Sequence, residues 1–250
     1  MSQDWNPALY TRFEDERSRP AAELLARVPL AAPARVTDLG CGPGNSTELL
    51  AQRYPLADIR GLDSSAAMLA AAQQRLPTLR FEQGDIARWT PAQPQDLIFA
   101  NASLQWLGDH ERLLPQLLSP LAPGGVLAIQ MPDNLDEPSH RLMRELAAEP
   151  PFAAHLGEAA AQRQRLPDIS RYYDLLAPHC RQVDLWHTRY QHRMEDAAAI
   201  VQWLSATGLR PFVQALPPAL QPEFLARYEQ RLDQAYPARV DGARLLAFPR

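Results

Sequence analysis

Lysine is missing altogether from this 250-residue chain, so every one of its 25 basic side chains is an arginine. That absence removes Schiff-base chemistry at a lysine amine and rules out a phosphate loop of the lysine type; codon bias is its simplest cause. Cysteine is almost as scarce. Cys41 and Cys180 are the only two, they outline no disulfide framework, and neither has a partner at metal-ligand spacing, so no metal site is expected. No apolar stretch reaches membrane-spanning length without a proline, a glycine or a charge. The first residues, Met-Ser-Gln-Asp-Trp, lack the basic region and apolar run of a leader, and the expectation is a cytoplasmic protein. A strong charge excess is lacking too: 25 basic against 29 acidic groups leave a net charge of -4, too mild to draw in nucleic acid or an anionic membrane. A small-molecule partner is favoured, and no obligate protein partner is evident.

What is present is an ordinary globular composition, 46% apolar and 22% charged, punctuated by 24 prolines that set many element ends. From about Val36 to Met131, short apolar runs alternate with helical stretches, the pattern of strand-helix-strand units on a parallel sheet. Strands are expected over Arg35–Leu39, Asp58–Asp63, Thr78–Glu82, Asp96–Ala100 and Gly125–Gln130. Asn45 is placed to cap the first core helix, with Glu48 in the capping-box position, and Ser64 and Ser65 to cap the second. Before the core, two amphipathic helices are expected over Trp5–Phe13 and Arg19–Val28, a helical lid within residues 1–30. The core itself is read as residues 31–133. Residues 134–250 then form a mostly helical, substrate-selecting region, interrupted by an alternating run, Val183–Tyr190, that reads as a strand. The chain ends at Leu245-Leu-Ala-Phe-Pro-Arg250 where a last strand begins, which suggests a carboxy-terminal truncation.

The chemistry gathers at Asp38-Leu-Gly-Cys-Gly-Pro-Gly-Asn-Ser-Thr47. A glycine turn between strand and helix brings the backbone close to a ligand and presents free amides to it. Gly40, Gly42 and Gly44 recur at every second residue, whereas the dinucleotide fingerprint places its third glycine three after the second, so a nicotinamide cofactor is disfavoured. Asp38 closes the first strand, where a carboxylate meets the ammonium of an amino-acid-like ligand and repels a pyrophosphate. Asp63 closes the second strand and suits ribose hydroxyls. Asp85 follows the third and suits an adenine amino group, with Ile86 against a ring face. Helix caps and solvated turns are the alternative for each aspartate. Cys41 is a small packing residue of the loop rather than a nucleophile, since nothing near it in sequence lowers its pKa.

These residues resemble the class I S-adenosylmethionine methyltransferases, whose first motif is similar to Asp38–Thr47 and whose turn before the fifth strand is similar to Leu121-Ala-Pro-Gly-Gly125. The resemblance implies an α/β fold, doubly wound around a mostly parallel sheet of the seven-stranded, Rossmann-like type, and S-adenosylmethionine as cofactor. It assigns Asp38, Gly40 and Gly42 to the methionine part, Asp63 to the ribose, Asp85 and Ile86 to the adenine, and Asn101 and Ala102 to the surroundings of the methyl. Cys41, Asn45 and Ser64 complete the expected cofactor site.

The segment Asn101-Ala-Ser-Leu-Gln-Trp-Leu107 is similar to one in small-molecule carboxyl methyltransferases, where the tryptophan helps hold the acceptor carboxylate. Trp106 offers an indole donor that takes no proton, and packing under the helices is its alternative. With Asn101 it is the expected catalytic residue. Trp5–Tyr10, Glu16–Pro20, Met131–Asn134 and Ala206–Pro211 resemble a family of such enzymes acting on tricarboxylic acids, which implies monomethyl esterification of trans-aconitate. An ionised carboxylate needs no general base. Arg17, Arg19 and Arg210 are the expected substrate arginines, with Tyr10 and Tyr173 as polar lining; a solvent-facing arginine on a helix is the alternative for each. His187 and His192 read as partly exposed polar residues. Another small acid, a carbon nucleophile, or cofactor binding without turnover remain as competing readings.

Overall fold

The computed structural model describes residues 14–161, 163–205 and 207–250, so the helix expected over Trp5–Phe13 lies outside the described residues. In chain order the elements are α1 (Glu14–Ala26), β1 (Arg35–Leu39), α2 (Asn45–Arg53), β2 (Asp58–Asp63), α3 (Ala66–Arg75), β3 (Arg80–Gln83), β4 (Gln95–Asn101), α4 (His110–Leu118) and β5 (Leu121–Gln130). Then follow α5 (Pro138–Ala147), α6 (Ala153–Ala161), α7 (Ile169–Leu176), β6 (Arg189–Met194), α8 (Ala197–Ser205), α9 (Arg210–Ala215), α10 (Gln221–Ala235) and β7 (Arg244–Pro249). They fall into two compact units: residues 14–131 with 166–186, and residues 132–165 with 187–250 apart from the two undescribed positions.

The first unit is a parallel sheet in the order β3-β2-β1-β4-β5. The chain winds outward from β1 to β3 on one side, then returns to lay β4 on the other flank of β1. Ligands in such sheets bind where the order reverses, outside the carboxyl ends of the two central strands. β1 and β4 are buried along nearly their whole length, as strands covered on both faces must be. Alternation along β4 divides the core. Leu97 and Phe99 pack with Val36, Leu50 and Tyr54 on one face, while Ile98 and Ala100 pack with Leu104, Leu113 and Leu117 on the other. Ala21, Leu24 and Leu25 of α1 join the first of these clusters, so that stretch of the helix is a layer of the core.

Several local expectations change. α1 begins at Glu14 and passes through Pro20 rather than starting at Arg19. Asn45 does not cap α2: Gly44 holds the cap position with a left-handed backbone, and Asn45 is the first helical residue. Glu48 pairs instead with Arg75 at 3.2 Å. Ser65 caps α3 as expected, its Oγ accepting from the Met68 amide at 3.1 Å. The stretch Leu121–Gly125 lies inside β5, where the register against β4 shifts between Gln95 and Leu97, so the expected turn is a bulge.

The second unit pairs β6 with β7 in antiparallel register, Arg189 opposite Pro249 and Met194 opposite Arg244. Among the described residues the parallel ladder therefore has five strands, and the sixth and seventh form a sheet of their own. The late strand is Arg189–Met194, not Val183–Tyr190. Alternation in the earlier run reports burial without a ladder, for Leu185 packs against the Leu104–Leu117 cluster of the first unit and Trp186 lies 4.6 Å beneath the Arg27 guanidinium. β6 buries Tyr190, His192 and Met194 on one face. His192 is therefore a core residue, its ring tilted against Trp203 at 4.6 Å between centroids, rather than partly exposed. Two tyrosines from or beside α10 hold the start of α5: Tyr236 accepts from the Ser139 amide at 3.0 Å and Tyr228 donates to the Ser139 carbonyl at 2.5 Å. No described helix is long and apolar enough to cross a membrane.

Candidate active site

The glycine turn is built by positive backbone angles and by bonds to β2. Gly40, Gly42 and Gly44 have φ of 73, 54 and 93°, a left-handed region that costs residues with a Cβ. The amides of Gly40 and Cys41 both donate to the Leu62 carbonyl, at 2.7 and 3.0 Å. The Gly42 amide donates to Asp63 Oδ2 and the Ser65 amide to Asp63 Oδ1, each at 2.9 Å. Asp63 thus braces the turn against the start of α3, fulfilling the local role while standing at the strand end where a ligand role was expected.

The three glycines do different work. A Cβ on Gly40 would lie 2.3 Å from Ser103 Cβ and 3.5 Å from Ile86, so the turn, the end of β4 and the segment after β3 converge there. A Cβ on Gly42 meets nothing within 4 Å, so the backbone faces open space. Beneath the turn, Asp38 is fully buried. Its Oδ2 accepts from the hydroxyls of Ser46 and Thr47, both at 2.7 Å, which ties the first turn of α2 to β1. Its Oδ1 is buried without a hydrogen-bond partner. Burial pushes the Asp38 carboxyl up to about 6, with a smaller push from the Asp63 charge and the two hydroxyls pulling the other way.

At the end of β4 the chain turns through Ala102, left-handed at φ 53°, whose amide donates to the Gln130 carbonyl at 2.9 Å. Ser103 Oγ donates to the Leu39 carbonyl at 2.8 Å and locks this turn to the glycine turn. Gln105 Nε2 donates to the Ala102 carbonyl at 2.7 Å. Asn101 Oδ1 and Gln105 Oε1 are buried acceptors without a donor. Trp106, half-buried, closes the short 3-10 turn Leu104–Trp106. Asp85 caps the turn Ile86–Arg88, its Oδ1 accepting from the Ala87 amide at 2.9 Å, and the neighbouring Gly84 amide donates to the Asp63 carbonyl at 3.0 Å. The structure therefore brings together Asp38, Gly40, Gly42, Asp63, Ile86, Asp85 and the Asn101–Trp106 segment. Ser64 is exposed, its carbonyl accepting from Gln83 Nε2 at 2.9 Å. Cys41 is buried against Gly61; burial and then the charges of Asp38 and Asp63 push its thiol far up, so it is no nucleophile. Among the described residues no cluster of three or more metal-ligating side chains occurs.

The substrate residues expected from the sequence are dispersed. Arg19 is exposed and pairs with Glu23 one turn on at 2.8 Å, and Tyr173 is 53% exposed on α7. Arg17 falls on α1, and Tyr10 lies outside the described residues. Arg210 opens α9 in the second unit, its guanidinium nitrogens 3.1 and 3.3 Å from the Gln214 side-chain amide, which accepts from them when its oxygen is turned toward the arginine. One pairing was not anticipated. His110 is buried, with Nε2 2.9 Å from the Leu104 carbonyl and Nδ1 2.7 Å from the Tyr172 hydroxyl. A carbonyl only accepts, so Nε2 carries a proton and, in the neutral ring, Nδ1 accepts from the tyrosine. Nothing in the local sequence announces a contact across 62 residues.

The two crowded and open glycines predict different sensitivities. Gly42→Ala should cost about 1–2 kcal/mol, from the left-handed backbone alone. Gly40→Ala should cost about 1–3 kcal/mol more, because the added methyl collides with Ser103. Denaturant midpoints decide; equal losses at the two positions would contradict the packing described.

A methyltransferase-domain family matches residues 36–125. The trans-aconitate 2-methyltransferase of Variovorax paradoxus is 65% identical over 99% of this chain and 96% of its own length. That of Paracidovorax citrulli is 64% identical over the same shares. Among solved structures, phosphoethanolamine N-methyltransferase 2 of Haemonchus contortus, in complex with S-adenosyl-L-methionine, gives a TM-score of 0.52 at 17% identity over 92% of this chain and 51% of that one, a likeness of fold.

Proposed function

The chain belongs to the trans-aconitate 2-methyltransferase family, and from that premise we propose that it esterifies one carboxylate of trans-aconitate with the methyl group of S-adenosylmethionine. The observation that carries the cofactor half is the open space in front of Gly42, beside a Gly40 that is walled in. A turn so built admits a ligand where a side chain would otherwise stand. Asp38 supports the same reading: among the described residues its oxygens have only hydroxyl partners, and the ammonium of a methionine-like ligand supplies the missing positive charge.

When bound, S-adenosylmethionine supplies a methyl group on a positively charged sulfur. Asp38, Gly40 and Gly42 hold its methionine part, with Cys41 and Asn45 completing the turn. Asp63 and Ser64 take the ribose, and Asp85 and Ile86 the adenine. Asp63 keeps this capacity although each oxygen already accepts an amide, because a carboxylate oxygen has a second lone pair. Asn101 and Ala102 border the transferred methyl, and Trp106 orients the reacting carboxylate through its indole N–H. A carboxylic acid with a pKa near ~4 is ionised at neutral pH, so no base is required. The residues need only align the two reactants and exclude water. The commitment of His110 to Leu104 and Tyr172 speaks against proton abstraction from a carbon acid. Arg17, Arg19 and Arg210, with Tyr10 and Tyr173, remain candidates for the unreacting carboxylates. In this reading residues 31–133 carry the cofactor and residues 134–250 select the acceptor. The lid expected over residues 1–30 is limited to what precedes the core-packed part of α1 at Ala21. A cytoplasmic location fits two cysteines left as free thiols.

Purified protein given S-adenosylmethionine and trans-aconitate should release S-adenosylhomocysteine in proportion to the acid added; no release above the acid-free background overturns the assignment. A pH dependence follows from Asp38. In the ligand-free protein its carboxyl ionises at about 6, and a cationic ligand favours the ionised form, so affinity is full above that pH and falls as pH drops through it. Below about 6 the calorimetric Kd for S-adenosylhomocysteine should rise by up to about tenfold per pH unit. A flat profile between pH 5 and 7 would remove Asp38 from the ammonium site.

A further inference from the structure

The motif Met131-Pro-Asp-Asn134 leads from β5 into the second unit. Around it, four carboxylates each have a basic side chain beside them: Asp133 has His187 at 3.4 Å, Asp136 has Arg165 at 2.5 Å, Glu137 has Arg189 at 3.1 Å, and Glu145 has Arg141 at 2.6 Å. Arg144 is different. Among the described residues no carboxylate lies within salt-bridge distance of it; its Nη2 donates to the Leu135 carbonyl at 2.7 Å, and its Nη1 is buried with nothing to accept it. Asn134, 1% exposed, accepts through Oδ1 from Arg163 Nη1 at 3.1 Å, while its Nδ2 is a second buried donor without an acceptor. Arg163 also donates to the Pro132 carbonyl at 3.1 Å. Burial, reinforced by the Arg144 charge, pushes the Arg163 guanidinium down to about 10. Burial and then these two arginines hold His140 well below its ordinary value, so it adds no further positive charge.

Buried donors left without acceptors are costly, and guanidiniums taken out of water call for a counter-charge. Asp136 and Glu145 act on Arg144, and Asp133 on Arg163, only from beyond salt-bridge distance, for each of these carboxylates is paired directly with another basic group. Two buried N–H donors, one on an amide and one on a guanidinium, beside a second guanidinium suit the two oxygens of a carboxylate. We propose that Asn134, Arg144 and Arg163 form a subsite in the second unit that takes a carboxylate of a small polycarboxylic acid. As a subsite for the acceptor, it rests on the function proposed above, and it assigns acid recognition to arginines that the sequence did not single out.

Asn134→Asp tests it. The exchange keeps the side-chain shape and the acceptor for Arg163 but sets an anion where the amide donor stood. A residue that only staples the loop tolerates this or gains from it; a carboxylate site does not. The unfolding midpoint and S-adenosylhomocysteine affinity should stay at wild-type values. Trans-aconitate, titrated calorimetrically into the cofactor-free protein, should bind about tenfold or more weakly, and its KM should rise by the same factor with kcat within about twofold. Arg144→Lys, which keeps the charge but not the fork, should fall between, and Arg141→Gln should change neither quantity. Wild-type affinity and KM in Asn134→Asp overturn the subsite; if that variant loses stability, Arg144→Lys decides by the same two readouts. Wild-type protein that binds the acid, loses this binding in Asn134→Asp and yet forms no ester overturns the function and leaves the subsite.

Discussion

Where β1 enters its turn, the Gly40 backbone runs so close to Ser103 that no side chain fits between them. That approach is possible because β4 lies directly beside β1, an adjacency set by the reversal of winding in the parallel sheet. It joins two turns that are 63 residues apart, and Ser103 Oγ fixes the join on the Leu39 carbonyl. The remaining geometry follows from it. With Gly40 committed to packing, Gly42 is the position left open to a ligand. Ala102 and the Asn101–Trp106 segment are held beside the same turn. Asp63, two bonds deep in the amides of Gly42 and Ser65, keeps the turn from relaxing toward β3.

Electrostatics divide along the two units. The first gathers Asp38, Asp63 and Asp85 at the ends of consecutive strands, a setting for a ligand that carries positive charge. Asp38 is the sharpest case, because burial makes its ionised form costly until a cation answers it. The second unit holds Arg144 and Arg163 within residues 132–165, a setting for an anion. Methyl transfer from a sulfonium to a carboxylate needs both kinds of ligand.

Much of the site was legible in the sequence because its signals are local. The glycine spacing, the three aspartates at strand ends and the Ser65 cap each depend on residues within a few positions of one another, and the structure keeps them. The competing view of the aspartates as caps and braces is what their hydrogen bonds show, for Asp85 caps a turn and Asp63 braces one; that bonding leaves further lone pairs on the same carboxylates. Most of what failed depended on distance, with Asn45 the local exception. Asn45 lost the cap to Gly44, whose left-handed backbone is already imposed by the turn. The alternation over Val183–Tyr190 recorded burial of Leu185 in the first unit, not a ladder. His110 and Tyr172 meet across two helices, and the arginines near Asn134 take their meaning from which carboxylates are already paired, which no one-dimensional pattern records.

The central claim is that the methyl group ends on a carboxylate oxygen. Product made from methyl-labelled S-adenosylmethionine and trans-aconitate, isolated and exposed to mild alkali, should lose its label as methanol, since only an ester hydrolyses under those conditions. Label that survives alkali on the acid would place the methyl on carbon and contradict the account.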